Sequence, residues 1–120
     1  MDSAAERLKL LEADYNTQDV QKISDNFTEN AEVRFGTSFL SGREAIRNYL
    51  SKDLTARQSY YLTLDLWGAL KGRMAVRFII EWTDHNNKSY KSYGVQVFQF
   101  NEEGLIEMND ASFNEQPVKK

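Results

Sequence analysis

The chain has 120 residues, 41% of them hydrophobic and 28% charged, with a formal net charge of −3. That is the size and balance of one globular domain with one core, and its mildly acidic character argues against nucleic acid as a partner, because phosphate binding needs a basic face. No apolar run reaches membrane-spanning length, no signal-peptide pattern is present, and there is no cysteine, so we expect no membrane, disulfide, thiolate metal site or cysteine nucleophile, and a cytoplasmic location.

In chain order, Ser3-Ala4-Ala5-Glu6 is a capping box that predicts a helix, with Ala4, Leu8, Leu11 and Tyr15 as its apolar stripe. Asn16-Thr17 breaks it, and Thr17 is placed to cap a second helix whose buried side is Val20, Ile23 and Phe27. Residues 31–35 alternate as a short strand, followed by a loop punctuated by Gly36 and Gly42. Ser41-Gly42-Arg43-Glu44 reads as a second capping box, opening a third helix with Ala45, Ile46, Tyr49 and Leu50 inward. From Tyr60 the period changes to two, predicting strands over 60–68, 73–83, 89–100 and 105–114. Turn signals at Lys71-Gly72, Asn86-Asn87 and Glu103-Gly104 join them as an antiparallel meander. Residues 1–120 are expected to form a single domain whose tail, 115–120, frays.

Three helices followed by a curved meander is an α+β plan. The element order is similar to that of the nuclear-transport-factor-two-like, or SnoaL-like, superfamily. So are residues Asn16 to Asp19, Gly42 to Ile46, and Phe100 with Gly104-Leu105-Ile106. More narrowly, the chain resembles an uncharacterised domain family within that superfamily. Leu66-Trp67, Ala75-Val76-Arg77-Phe78, Glu81-Trp82, Asp84, Ser92-Tyr93-Gly94, Ala111-Ser112 and Asn114 carry that likeness. The resemblance implies a cone, with three N-terminal helices on the concave face of a curved, mainly antiparallel sheet. It also implies a homodimer through the convex sheet face.

The turns give an expected register. A two-residue turn at Asn86-Asn87 sets Arg77 opposite Gln96 and Glu81 opposite Ser92, and a three-residue turn ending at Gly72 sets Asp65 opposite Arg77. The last loop then brings either Asn109 or Asp110 opposite Gln96, two cases that differ in every side-chain direction. The resemblance favours Asn109, giving a row Asp65, Arg77, Gln96, Asn109 on the concave face together with Trp67, Glu81, Phe98 and Phe113. The opposite face, with Val76, Phe78, Ile80, Val95 and Val97, is the expected dimer surface.

The candidate chemistry follows from that row. Asp65 would be acceptor or base and Arg77 the anchor for a carbonyl or carboxylate. Gln96 and Asn109 would form hydrogen bonds, Glu81 would be a second acid, and Trp67, Phe35, Phe98, Phe113 and Tyr15 would be ligand contacts. Phe35 stands where the resemblance would place the general base of a ketosteroid-isomerase-like enzyme, so that activity is not expected. His85 is the one histidine, so no metal site and no cofactor are expected. The reading is a small-organic-molecule-binding protein with acid–base isomerase, cyclase or hydrolase chemistry. A non-catalytic dimerisation or protein-binding module is the alternative.

Overall fold

The computed structural model describes residues 3–118. Helix α1 spans Ala4–Asn16 and α2 Val20–Ser24, strands β1 and β2 span Phe27–Phe35 and Ser38–Ser41, and helix α3 spans Arg43–Thr55. Strands β3 (Gln58–Leu70), β4 (Arg73–Thr83), β5 (Ser89–Phe100) and β6 (Ile106–Pro117) follow. All six strands form one sheet in the order β2-β1-β6-β5-β4-β3, antiparallel except for the β1–β6 pair. The three helices lie on its concave face. Leu8, Leu11, Ile46 and Leu50 pack there against Leu62, Val76, Phe78 and Phe98. This is the expected α+β cone.

Local chemistry accounts for the boundaries. Ser3 accepts from the Glu6 N–H as the cap of α1. Asp19, not Thr17, caps α2, because its carboxylate reaches the N–H groups of Gln21 and Lys22; Thr17 instead accepts from the Asp19 N–H. Helix α2 stops at Ser24, so Phe27 opens β1 and does not extend the helix stripe. The predicted loop before α3 contains β2, paired with β1 from Phe35–Ser38 to Glu32–Ser41. Ser41 is therefore not a cap: its hydroxyl donates to Glu32, and Gly42 precedes α3 with φ 91° and ψ 152°. That conformation is essentially open to glycine alone. The predicted tail continues β6 through Glu115, Gln116 and Pro117, and the Val118 N–H bonds the Ser89 carbonyl; Lys119 and Lys120 lie outside the described residues.

The β4–β5 connection departs from expectation with large consequences. It is a five-residue loop, Asp84 to Lys88, between the pair Thr83–Ser89. The Asp84 carboxylate accepts the N–H groups of Asn86 and Lys88, and the Asp84 N–H bonds the Lys88 carbonyl. The register moves by one residue: Arg77 faces Val95, and Glu81 faces Lys91. A one-residue shift transfers every side chain of β5 and β6 to the other face relative to β4. Asp65 does face Arg77, because an irregularity between Leu66 and Gly68 absorbs the extra residue at Trp67.

The edge strand β3 is protected by α1. Glu12 accepts the Leu64 N–H, and the Asn16 amide both accepts from the Leu62 N–H and donates to the Leu62 carbonyl. These bonds occupy backbone groups that an unpaired edge would expose. They also fix the end of α1 over the sheet, which positions Tyr15.

Candidate functional site

Helix α3 presents Tyr49 and Asp53 one turn apart, and Arg57 follows one turn later, just past the helix end. The sheet-facing stripe of α3 is Ile46, Leu50 and Leu54. The Gln18 amide donates to the carbonyls of Leu54 and Arg57, which holds this helix end in place. Tyr49, Asp53 and Arg57 line a cavity together with Tyr15 from α1, Tyr60 from β3 and Gln96 from β5. Its walls are Phe35, Phe78, Phe113, Leu62 and Ile80. Phe35 stacks on Tyr49 at 5.1 Å, and Phe78 meets Phe113 at 6.4 Å. About 70 Å³ is left for the centres of water-sized groups. One water needs at least about 10–15 Å³ of such space, so several waters or part of a small organic molecule fit.

Two carboxylates share the Arg57 guanidinium, Asp53 at 3.3 Å and Glu115 at 3.5 Å. Arg57 is 12% exposed and lies over the Trp82 ring at 4.6 Å; Trp82 stacks in turn on Tyr90 at 4.4 Å. One oxygen of Glu115, Oε1, also accepts from the Ser92 hydroxyl at 2.6 Å and from the Trp82 indole at 2.8 Å. Burial pushes the Asp53 carboxyl above its usual range; Arg57 opposes this and Glu115 adds to it. Burial likewise raises the phenols of Tyr15, Tyr49 and Tyr60, so all three stay protonated donors at neutral pH. Among the described residues, none forms a hydrogen bond with these three hydroxyls. The Asp53 carboxyl, the Arg57 guanidinium, three phenols and the Gln96 amide therefore meet in a largely aromatic and aliphatic space, an arrangement suited to binding an oxygen-bearing molecule.

The expected site residues separate into two groups. Tyr15, Phe35, Gln96 and Phe113 line the cavity. Asn109 shares their face but lies deeper, opposite Phe98, and both are buried in the core. Leaving the Asn109 amide without a partner costs about 1–3 kcal/mol. The remaining four are on the outer face. Asp65 and Arg77 form a 3.7 Å pair with side chains 60% and 59% exposed, and Arg77 covers Trp67. Glu81 pairs with Lys91 at 3.4 Å. The Asp65-Arg77-Gln96-Asn109 row is thus not formed. The β4–β5 loop puts its first two members outside and its last two inside. The expected outer surface is corrected in the same way: Val76, Phe78 and Ile80 belong to the inner face, while Val95 and Val97 are exposed outside. Asp110, the alternative to Asn109, pairs with Arg34 on that outer face.

Asp53, Arg57 and Glu115 were missed. The first two carried a signal, the spacing of four from the inward Tyr49. Glu115 shares the face of Phe113 but was assigned to the tail. Among the described residues no group of three or more His, Asp or Glu is placed to hold a metal ion, and no helix is long and apolar enough to cross a membrane.

Among curated proteins no relative matches. Solved structures do. The chain is 26% identical to the epoxide hydrolase/cyclase-like enzyme SalBIII of pyran ring formation in the polyether salinomycin, with a TM-score of 0.82 and 95% of each chain covered. It is 13% identical to a computationally designed 17-OHP binder, with a TM-score of 0.83 over 98% of each chain. RV0760c from Mycobacterium tuberculosis, in complex with estradiol-17beta-hemisuccinate, is 13% identical, with a TM-score of 0.81 over 94% of this chain and 97% of that one. The last two likenesses are of fold. Residues 1–120 match the family described as protein of unknown function DUF1348. The chain belongs to that family, within the nuclear-transport-factor-two-like, SnoaL-like superfamily.

Proposed function

We propose that this protein is an acid–base enzyme that opens or closes a C–O ring in a small, largely apolar, oxygenated molecule held in the cone. The observation that carries the reading is Asp53 with Arg57 at the wall of an aromatic cavity, the guanidinium also holding a second carboxylate, Glu115, from beyond the lining. With an epoxide bound, protonated Asp53 gives its proton to the ring oxygen as the C–O bond breaks. The oxygen of a water, or of a hydroxyl on the same substrate, forms the new C–O bond, and its proton passes to Oε2 of Glu115. Proton exchange with solvent restores both carboxyls. Arg57 holds the two groups in position, and the phenols of Tyr15 and Tyr60 orient the oxygen. No step draws on a metal or cofactor. The likeness to an epoxide hydrolase/cyclase-like enzyme supports this class of chemistry.

The test is hydrolysis of styrene oxide to 1-phenyl-1,2-ethanediol, followed by chromatography. We expect turnover above the buffer rate and its loss in Asp53→Asn. Turnover that survives Asp53→Asn overturns the assignment. Binding without turnover would favour a ligand carrier, the reading to which the steroid-binding neighbours lend support. The outer face, where Trp67, Tyr93, Val95 and Val97 are exposed beside one another, is the surface through which the chain would form a homodimer. Val95→Glu should then halve the mass seen by light scattering.

A further inference from the structure

Asn109 is 1% exposed, and neither its Nδ2 nor its Oδ1 has a hydrogen-bond partner among the described residues. It stands on β6 between Phe98 of β5 and Val33 of β1, two residues from Ala111, which lines the cavity. Gln96 pairs with Ala111 and is therefore the diagonal neighbour of Asn109 on the same face, a separation that a long side chain can bridge. Gln96 lines the cavity, and its own amide has no hydrogen-bond partner among the described residues. Two neighbouring amides thus lack partners on the core side of the cavity, Gln96 half-buried at its lining and Asn109 fully buried, where an unmet amide is costly.

The chemistry of the missing partner is restricted. Asn109 lacks both an acceptor for its N–H groups and a donor for its oxygen. A carbonyl would meet the first need and leave the second. A carboxylate would set its charge beside Oδ1 among Phe98, Val33 and Ala111, with no cation from those neighbours. A neutral O–H group is the smallest group that both accepts and donates. We infer that Gln96 and Asn109 form an inner subsite that takes a hydroxyl of the ligand, the cavity opening toward Asn109 as the Gln96 side chain turns. This rests on the cavity reading proposed above and adds to it the group at the ligand's inner end. A permanently bound water offers the same O–H chemistry, and the experiment separates the two sources.

The protein and its Asn109→Leu variant are titrated by NMR with 1-phenyl-1,2-ethanediol and with ethylbenzene, which share a skeleton and differ in the hydroxyls. The wild type should favour the diol. Asn109→Leu should weaken the diol by at least about tenfold and leave ethylbenzene within about twofold. Unchanged diol binding overturns the inference and assigns the amide to a resident water. If the wild type binds neither probe, the cavity reading fails and this inference falls with it. If Asn109→Leu does not fold, the Asn109 side-chain amide signals of the ¹⁵N-labelled wild type decide: the diol should shift them and ethylbenzene should not. Signals that the diol leaves in place overturn the inference.

Discussion

The two faces of the sheet each carry an arginine beside acid, and the two arginines do different work. On the outer face Arg77 has Asp65 at 3.7 Å, and both side chains are more than half exposed. At such a site water screens the pair. On the inner side Arg57 is nearly buried, holds two carboxylates, and is covered by Trp82. There burial raises Asp53 and leaves one cation for two acids. Residue types therefore do not separate a structural pair from a candidate catalytic one; solvent access and the number of charges around the guanidinium do.

The largest test of that contrast is catalytic. Asp53→Asn should lower styrene oxide turnover by roughly 10²–10⁴-fold, the usual range for a positioned acid, and Asp65→Asn should leave it unchanged. Equal losses would erase the distinction between the faces. A second test concerns how the inner wall is built. A Cβ on Gly94 would meet the Phe78 ring and lie 2.6 Å from the Ser112 carbonyl. Gly94→Ala should therefore displace Phe78 into the cavity, cost about 1–3 kcal/mol in urea denaturation, and weaken ligand binding.

The pH dependence sharpens the comparison further. Asp53 binds its proton more tightly folded than unfolded, because burial raises its carboxyl. Its contribution to stability is thus fully present below the ordinary carboxylate pKa and is lost as pH rises through the raised folded value. Denaturation of Asp53→Asn beside the wild type should show the variant gaining relative stability as pH rises above the ordinary carboxylate range. The smallest effect is expected outside. Arg77→Met should cost less than about 1 kcal/mol, as exposed pairs do. Arg57→Met should cost about 1–3 kcal/mol, because Asp53 and Glu115 would be left facing each other without their cation.

Much of the fold was legible from the chain alone. The Ser3 cap, the stripe Leu8-Leu11-Tyr15 and the period-two runs reflect local geometry, which sequence spacing reports directly. The pairing of Asp65 with Arg77 was also legible, though it is kept by an irregularity at Trp67 and not by the turn expected. What spacing cannot report is which face turns inward. On β4 the set Met74, Val76, Phe78, Ile80 is cleanly apolar, and alternation says only that these residues lie together. The three helices cover that set because α1 docks on the β3 edge through Glu12 and Asn16. The transfer of Gln96 and Asn109 to that same inner face depends on Asp84, whose carboxylate closes a five-residue loop where Asn86-Asn87 suggested two. The site depends on the same long-range decisions. Asp53 and Arg57 lie one turn apart on or just past α3, but Glu115 is 58 residues beyond Arg57. Only the β5–β6 pairing, which sets Ser92 against Glu115, brings the second carboxylate to the guanidinium.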